Sequence, residues 1–162
     1  MKVFNLHYRI LQQPSSVITP MLSSLSTKNV MMLATDKWPR MRLDQGLVPG
    51  SKGGHGPIRY TVSDYREGES ITFTFDMSGF DGFHQFKIEK LEEGVTKLSH
   101  VIDMKTSGWA TLKWILAIRW LHDAFIEDAF DRVEGYFNLT LRCAEWTWWV
   151  KMLRWWMSRG KK

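Results

Sequence analysis

The chain has 162 residues, 44% hydrophobic and 24% charged, the balance of one globular domain with a single core rather than a disordered chain. The formal net charge is +5, but from Arg142 onward six basic residues stand against one acid, and the rest of the chain is neutral. A neutral body removes the main electrostatic argument for nucleic acid, so no nucleic-acid partner is expected. A single cysteine, Cys143, leaves no intrachain disulfide. Residues 1–11 lack the apolar stretch and cleavage site of a signal peptide, and no run of roughly 18 apolar residues occurs. The expected location is cytoplasmic, with the basic end of the chain offering peripheral contact at the inner membrane.

Residues 3–11 alternate, with Phe4, Leu6, Tyr8 and Ile10 on one face and Asn5, His7 and Arg9 on the other, the pattern of a half-buried strand. Val17, Ile18, Met21, Leu22 and Leu25 then recur at helical spacing, with Pro14 near the first turn and Pro20 a candidate break. Residues 29–56 show little periodicity. Within them Met41-Arg42-Leu43-Asp44 fits a short strand, Trp38-Pro39 disfavours helix, and residues 50–57 read as a glycine-dense loop.

Residues 58–65 and 70–77 flank Glu67-Gly68, a two-residue turn signal. With Arg66 opposite Glu69, Val62 pairs with Phe73 and Tyr60 with Phe75, giving an inner face that also holds Ile58, Ile71 and Met77. Residues 83–91 and 95–106 flank Glu92-Glu93-Gly94. Phe86 and Ile88, then Leu98, Ile102 and Met104, share a face with His84 and His100, so both histidines are expected to point inward. Residues 109–137 read as one long helix after Ser107-Gly108. Trp114, Ile118, Leu121, Phe125, Ala129 and Tyr136 lie in its apolar arc, while Arg119, Asp123, Glu127, Phe130 and Glu134 lie on its other side.

This order of elements, with Gly53-Gly54-His55-Gly56-Pro57-Ile58-Arg59-Tyr60, then Gly82-Phe83-His84 opening a strand, then Arg119-Trp120-Leu121-His122-Asp123 in the last helix, resembles the START-like superfamily. That group, also called SRPBCC or helix-grip, includes START lipid-transfer domains, birch-pollen-allergen proteins and bacterial polyketide cyclase/dehydrase-like proteins. The chain is most similar to the last branch, and the resemblance spans residues 3–137. It implies an α+β fold in which a curved antiparallel sheet of six or seven strands wraps around a long C-terminal helix, with short helices after the first strand. It also implies an apolar cavity between sheet and helix. From the residues alone, a large aromatic inner face is compatible with either a cavity or an ordinary packed core.

The candidate cavity residues are Tyr60, Phe73, Phe75, His84, Phe86, His100, Ile102, Met104, Leu121, Phe125 and Asp128. His84 and His100 are read either as ligand contacts or as hydrogen-bonded core histidines. Asp128 and Arg132 fall in the apolar arc four residues apart, and are read either as a buried pair or as solvated groups at the cavity mouth. Cys143 stands alone and His122, Asp123, Glu127 and Asp128 lack metal-site spacing, so no metal or cofactor is expected. The glycine loop lacks the Lys-Ser/Thr of a phosphate cradle and is read as allowing sharp turns at the cavity rim.

Residues 138–162 are set apart from the domain of residues 1–137 as a basic, Trp-rich amphipathic tail. It holds five of the nine Trp. Trp146, Trp149, Lys151, Arg154 and Trp156 are its candidate contacts, for a membrane interface or for a second subunit or the protein's own body. The leading function is binding, with transfer, of an apolar small molecule: a lipid, a quinone or a polyketide-like compound. The alternative is a cyclase- or dehydratase-type enzyme using an inward His with Asp128 or Tyr60. No catalytic residue is assigned.

Overall fold

A computed structural model of the chain describes residues 1–137 and 144–159. Arg142, Cys143, Lys161 and Lys162, and the side chains of Ser158 and Arg159, lie outside the described residues. The elements run β1 (Lys2–Leu11), α1 (Ser15–Ser23), β2 (Arg42–Leu43), β3 (Lys52–His55), β4 (Ile58–Arg66), β5 (Ser70–Phe75), β6 (Phe80–Glu92) and β7 (Val95–Thr106). A continuous helix follows, made of α2 (Trp109–Lys113), a π-helical turn (Trp114–Ile118) and α3 (Arg119–Tyr136), and then α4 (Trp148–Arg159). The seven strands form one antiparallel sheet in the order β1-β7-β6-β5-β4-β3-β2. This is an α+β helix-grip architecture.

Several expectations need correction. Pro20 does not break α1, which runs through it; the buried Ile18, Met21 and Leu22 on either side hold this short helix against the body. Part of the glycine-dense segment is strand β3, not loop. A Cβ on Gly53 would strike the carbonyl of Arg42, and one on Gly54 that of Ile58. These glycines let neighbouring backbones approach, and the sharp turn falls at Gly56, where φ is +54°. Across the β4–β5 hairpin, Tyr60 faces Phe75 and Val62 faces Phe73 as expected, yet Arg66 pairs with Ser70, not Glu69. A bulge between Val62 and Asp64 absorbs the extra loop residue and restores the register.

The apolar core forms two clusters. One joins α1, the inner face of β4 to β7 and the Ile126, Ala129, Phe130 and Val133 side of α3. The other joins Val3, Phe80, Ile102, Met104, Ala110 and Trp114. Each fully buried large side chain contributes about 1.5–3 kcal/mol by removal from water. Phe130 is wholly buried although its place on the helix wheel set it outside the apolar arc, and Tyr136, expected inside that arc, is exposed.

Strand β1 is turned opposite to its hydropathy. Phe4, Leu6, Tyr8 and Ile10 face outward and are exposed, while Asn5, His7 and Arg9 face α3. Asn5 Nδ2 donates to Asp123 at 3.0 Å, His7 Nδ1 meets Glu127 at 2.6 Å, and His7 Nε2 meets Asp123 at 3.2 Å. Arg9 reaches Glu127, Asp131 and Glu134. Four carboxylates on one stripe of α3 require cations opposite, and that demand outweighs the apolar pattern of an edge strand.

Burial alone would lower the pKa of His7, but the hydrogen bonds and charges of Asp123 and Glu127 outweigh it and raise it to about 9. The hydrogen bond from His7, with those from Arg9, holds Glu127 down at about 2 despite partial burial. The folded value of His7 exceeds the ordinary imidazole value of 6.5. Its stabilisation is therefore complete below that value and is lost as the pH rises through about 9. Chemical denaturation followed between about pH 6 and pH 10 should show stability falling across this window, and His7→Gln should flatten that fall. An equal fall in the variant would show that the seam does not titrate.

Candidate functional site

Between the two clusters lies a cavity of about 1050 Å³, at the upper end of the range for small-molecule sites. Phe75, Phe86, Ile102 and Met104 form its sheet wall, Trp114, Ile118, Leu121, Phe125 and Ile126 its helix wall, and Pro39, Met41 and Ile58 one flank. Thr35, Asp36, Lys37, Lys113, Arg154 and Met157 are among the other lining residues. Of the eleven candidate cavity residues, eight line it. Tyr60, Phe73 and Asp128 do not. Tyr60 and Phe73 lie one layer deeper, fully buried, with Phe73 stacked on His84 at 4.7 Å and Tyr60 edge-on to it at 4.8 Å.

Four of the five histidines of the chain, His55, His84, His100 and His122, line this one cavity. The periodicity of β6 and β7 placed His84 and His100 there. His55 was hidden in the glycine segment, and His122 lies just beyond the apolar arc. His84 Nδ1 and His100 Nε2 are 3.2 Å apart, His100 and His122 rings are 5.0 Å apart, and His55 Nδ1 meets the Tyr60 hydroxyl at 3.1 Å. Burial, reinforced by the proximity of the other rings, pushes His84 and His100 well below the usual imidazole range and His55 down to about 4. Near neutral pH the histidines along this wall are therefore uncharged. His84 Nε2 and His100 Nδ1 are buried without a hydrogen-bond partner among the described residues. Whichever ring donates within the pair, its outer nitrogens then comprise one donor and one acceptor.

His7, His122 and Asp123 bring three ligand-type atoms within 4.8 Å of one another. Protonated His7 directs its two ring nitrogens to two carboxylates there, so the group is part of an ion-pair seam, and a metal would have to displace a proton.

Asp128 is neither solvated at the mouth nor paired with Arg132. It is 4% exposed and accepts from Lys37 Nζ at 2.9 Å, Trp38 Nε1 at 2.7 Å and Trp146 Nε1 at 2.9 Å. Arg132 turns outward to Asp36 and the Met31 carbonyl. The guanidinium of Arg154 lies 4.2 Å from the Trp38 ring and 4.3 Å from the Trp146 ring, a cation–π contact on both. The chain segment carrying Trp38, helix α3 and helix α4 meet at this carboxylate.

The tail helix therefore packs on the protein's own body. Val150 and Leu153 are buried, and Trp149 Nε1 donates to the Leu116 carbonyl at 2.9 Å in the π-helical turn, where the altered ladder makes a carbonyl available to an outside donor. Trp146, Trp149 and Arg154, expected as membrane or partner contacts, are engaged within the chain. Lys151 and Trp156 remain exposed.

One long helix laid across one face of a seven-stranded antiparallel sheet, with an apolar cavity between them, defines the START-like, helix-grip fold. Solved structures agree. A START superfamily protein from Mycobacterium smegmatis is 14% identical, with 83% of this chain and 97% of that chain covered and a TM-score of 0.53. CalU16 from Micromonospora echinospora is 12% identical, with 99% and 94% covered and a TM-score of 0.56. A protein from Thermobifida fusca is 11% identical, with 88% and 98% covered and a TM-score of 0.59. No family model matches the sequence, and no curated protein does.

Removing the Asp128 carboxylate takes the acceptor from the Trp38 and Trp146 indole donors and one ion-pair partner from Lys37. Asp128→Ala should cost about 3–5 kcal/mol in urea denaturation, the usual penalty for breaking a buried charged network. Asp128→Asn, which keeps one acceptor oxygen, should cost less. A loss below about 1 kcal/mol for Asp128→Ala would mean the two indole donors find other partners.

Proposed function

We propose that the protein binds an apolar small molecule, of the lipid, quinone or polyketide-like kind, in the cavity between sheet and helix and passes it on intact. The observation that carries this reading is the size of the cavity together with its mostly aliphatic and aromatic walls. Tight binding of such a molecule follows from removing its surface from water and needs no reactive group. The neutral histidines add a restriction on the cargo. Beside the His84–His100 pair an ionised carboxylate would be desolvated without a cation, because, of the basic lining groups, Lys37 and Arg154 are engaged around Asp128 and Lys113 is exposed to solvent. A hydroxyl or carbonyl instead matches the donor and acceptor of the pair. The cargo is therefore an apolar molecule with an uncharged polar end.

The enzyme reading draws on Tyr60, whose hydroxyl meets His55 and whose ring touches His84. Its carboxylate limb is weak, because both oxygens of Asp128 are engaged with Lys37, Trp38 and Trp146. Conversion of a co-purifying molecule by the protein, lost in Tyr60→Phe, would favour this second reading.

The test is native mass spectrometry of freshly purified protein, followed by titration with an apolar fluorescent probe. About one probe per chain should bind, and Phe75→Trp, which fills cavity space, should weaken it. At pH 7 a long-chain alcohol should displace the probe about tenfold more effectively than the matching fatty acid, with the gap closing as the acid protonates at lower pH. Preference for the fatty acid at pH 7 would overturn the uncharged-cargo reading. Probe binding only to partly unfolded protein would overturn the cavity reading itself.

A further inference from the structure

The rim of the cavity carries an unusual surface. Two helical stretches border the cavity, one contributing Lys113 and Trp114 to its lining and the other Arg154 and Met157, and Lys113 and Met157 are exposed to solvent there. The hydrogen bond from Trp149 to Leu116 holds these stretches against each other. Both are apolar on their solvent side. Trp109, Trp148 and Trp156 are 78%, 72% and 72% exposed, and Leu112, Leu116 and Met152 are exposed beside them. On α4, Trp148, Met152 and Trp156 recur every four residues, so they share one outward face while Val150 and Leu153 face the body. Isolated exposed apolar residues are ordinary, but three nearly bare Trp in two adjoining stretches are not.

The charge on these stretches has one sign. Residues 107–122 contain Lys113 and Arg119 and no acid, and residues 146–162 contain Lys151, Arg154, Arg159, Lys161 and Lys162 and no acid. Among the described residues no helix is long and apolar enough to cross a membrane. Exposed Trp with Lys and Arg on short helices is the composition of a surface that lies in the headgroup layer. A two-fold contact with a second copy would set this basic surface against itself, whereas an anionic bilayer complements it.

We infer that α2, the π-helical turn and α4 form a docking surface for an anionic lipid bilayer, with the cavity mouth opening between them toward the membrane. Trp109, Trp148 and Trp156 enter the headgroup layer, and Lys113 and Lys151 lie beside them against lipid phosphates. The docking stands independently of what the cavity holds. An apolar cargo, if present, would pass between bilayer and cavity with little exposure to water.

Truncating the tail is a poor test, because it would strip Trp146 from Asp128 and uncover Val150 and Leu153. Full-length protein should instead be sedimented with vesicles of phosphatidylglycerol and phosphatidylcholine, and with vesicles of phosphatidylcholine alone. Binding should be strong to the first and weaker to the second, and added salt should weaken the first without abolishing it, since the Trp contribution is not screened. Lys151→Glu should weaken binding to the anionic vesicles by about fivefold or more, the worth of a basic residue near such a surface. Trp148→Ser with Trp156→Ser should weaken it by at least about tenfold, because two large apolar groups no longer enter the interface. Both variants should keep the wild-type circular dichroism and still bind an apolar probe in solution, which separates failure of docking from failure of the cavity. Wild-type protein that ignores anionic vesicles at low salt overturns the inference. So does a dimer in analytical ultracentrifugation that the double Trp variant dissociates while vesicle binding is absent, because the surface then belongs to a second copy.

Discussion

The arrangement around the cavity depends on the buried carboxylate of Asp128. It sits on α3, four residues from arginine and surrounded by apolar neighbours, where an unpaired charge would cost several kcal/mol. Its donors come from elsewhere: Lys37 and Trp38 precede the sheet's second strand, and Trp146 opens the tail. One carboxylate therefore fixes the segment that flanks the cavity and the helix that closes one side of it. Arg154, lying on both indole rings, returns a positive charge to the same place. Removing this group affects three chain segments far apart in sequence.

The same helix separates two kinds of chemistry. Toward β1 it presents Asp123, Glu127, Asp131 and Glu134, matched by Asn5, His7 and Arg9. Toward the cavity it presents Leu121, Phe125 and Ile126 with His122 between the two regimes. His7 is held protonated by carboxylates, while His84, His100 and His55 are held neutral by burial. Opposite protonation of the same residue type within one domain follows from partners on one side and their absence on the other. It keeps charge at the edge seam and off the histidine wall of the cavity.

Much of the sheet was legible because strand pairing obeys a period of two and hairpins announce themselves. The inner face of β4 to β7, including His84 and His100, followed from that rule alone. The pairing of Tyr60 with Phe75 was reached through a turn one residue too short, and it held only because the bulge after Val62 compensates. The orientation of β1 was not legible, since its apolar face points to solvent and only the carboxylates of α3, more than a hundred residues away, explain why. Gly53 and Gly54 read as loop because their reason is the closeness of neighbouring backbones, which composition does not encode. The partners of Asp128 were equally invisible: nothing local connects residues 37, 38, 128 and 146.

The tail shows why an amphipathic pattern can mislead. Drawn as a wheel, residues 146–158 offer one broad apolar face with Trp146, Trp149, Val150, Leu153, Trp156 and Met157 together and a polar stripe holding Thr147, Lys151, Arg154 and Ser158. In the fold Val150 and Leu153 turn inward as that face requires, but the polar Arg154 turns inward with them because two aromatic rings receive it, and Trp156 turns out together with Trp148. An indole or a guanidinium has both a polar and an apolar aspect, so its side of the helix is decided by whether a partner waits there. Only two apolar side chains of α4 are buried, against five on α3 between Phe125 and Val133. The hold on α4 is thus largely polar and directional, and α4 belongs among the less firmly packed elements of the domain. Its place at the rim of the cavity puts that weaker packing where the walls of the cavity meet solvent.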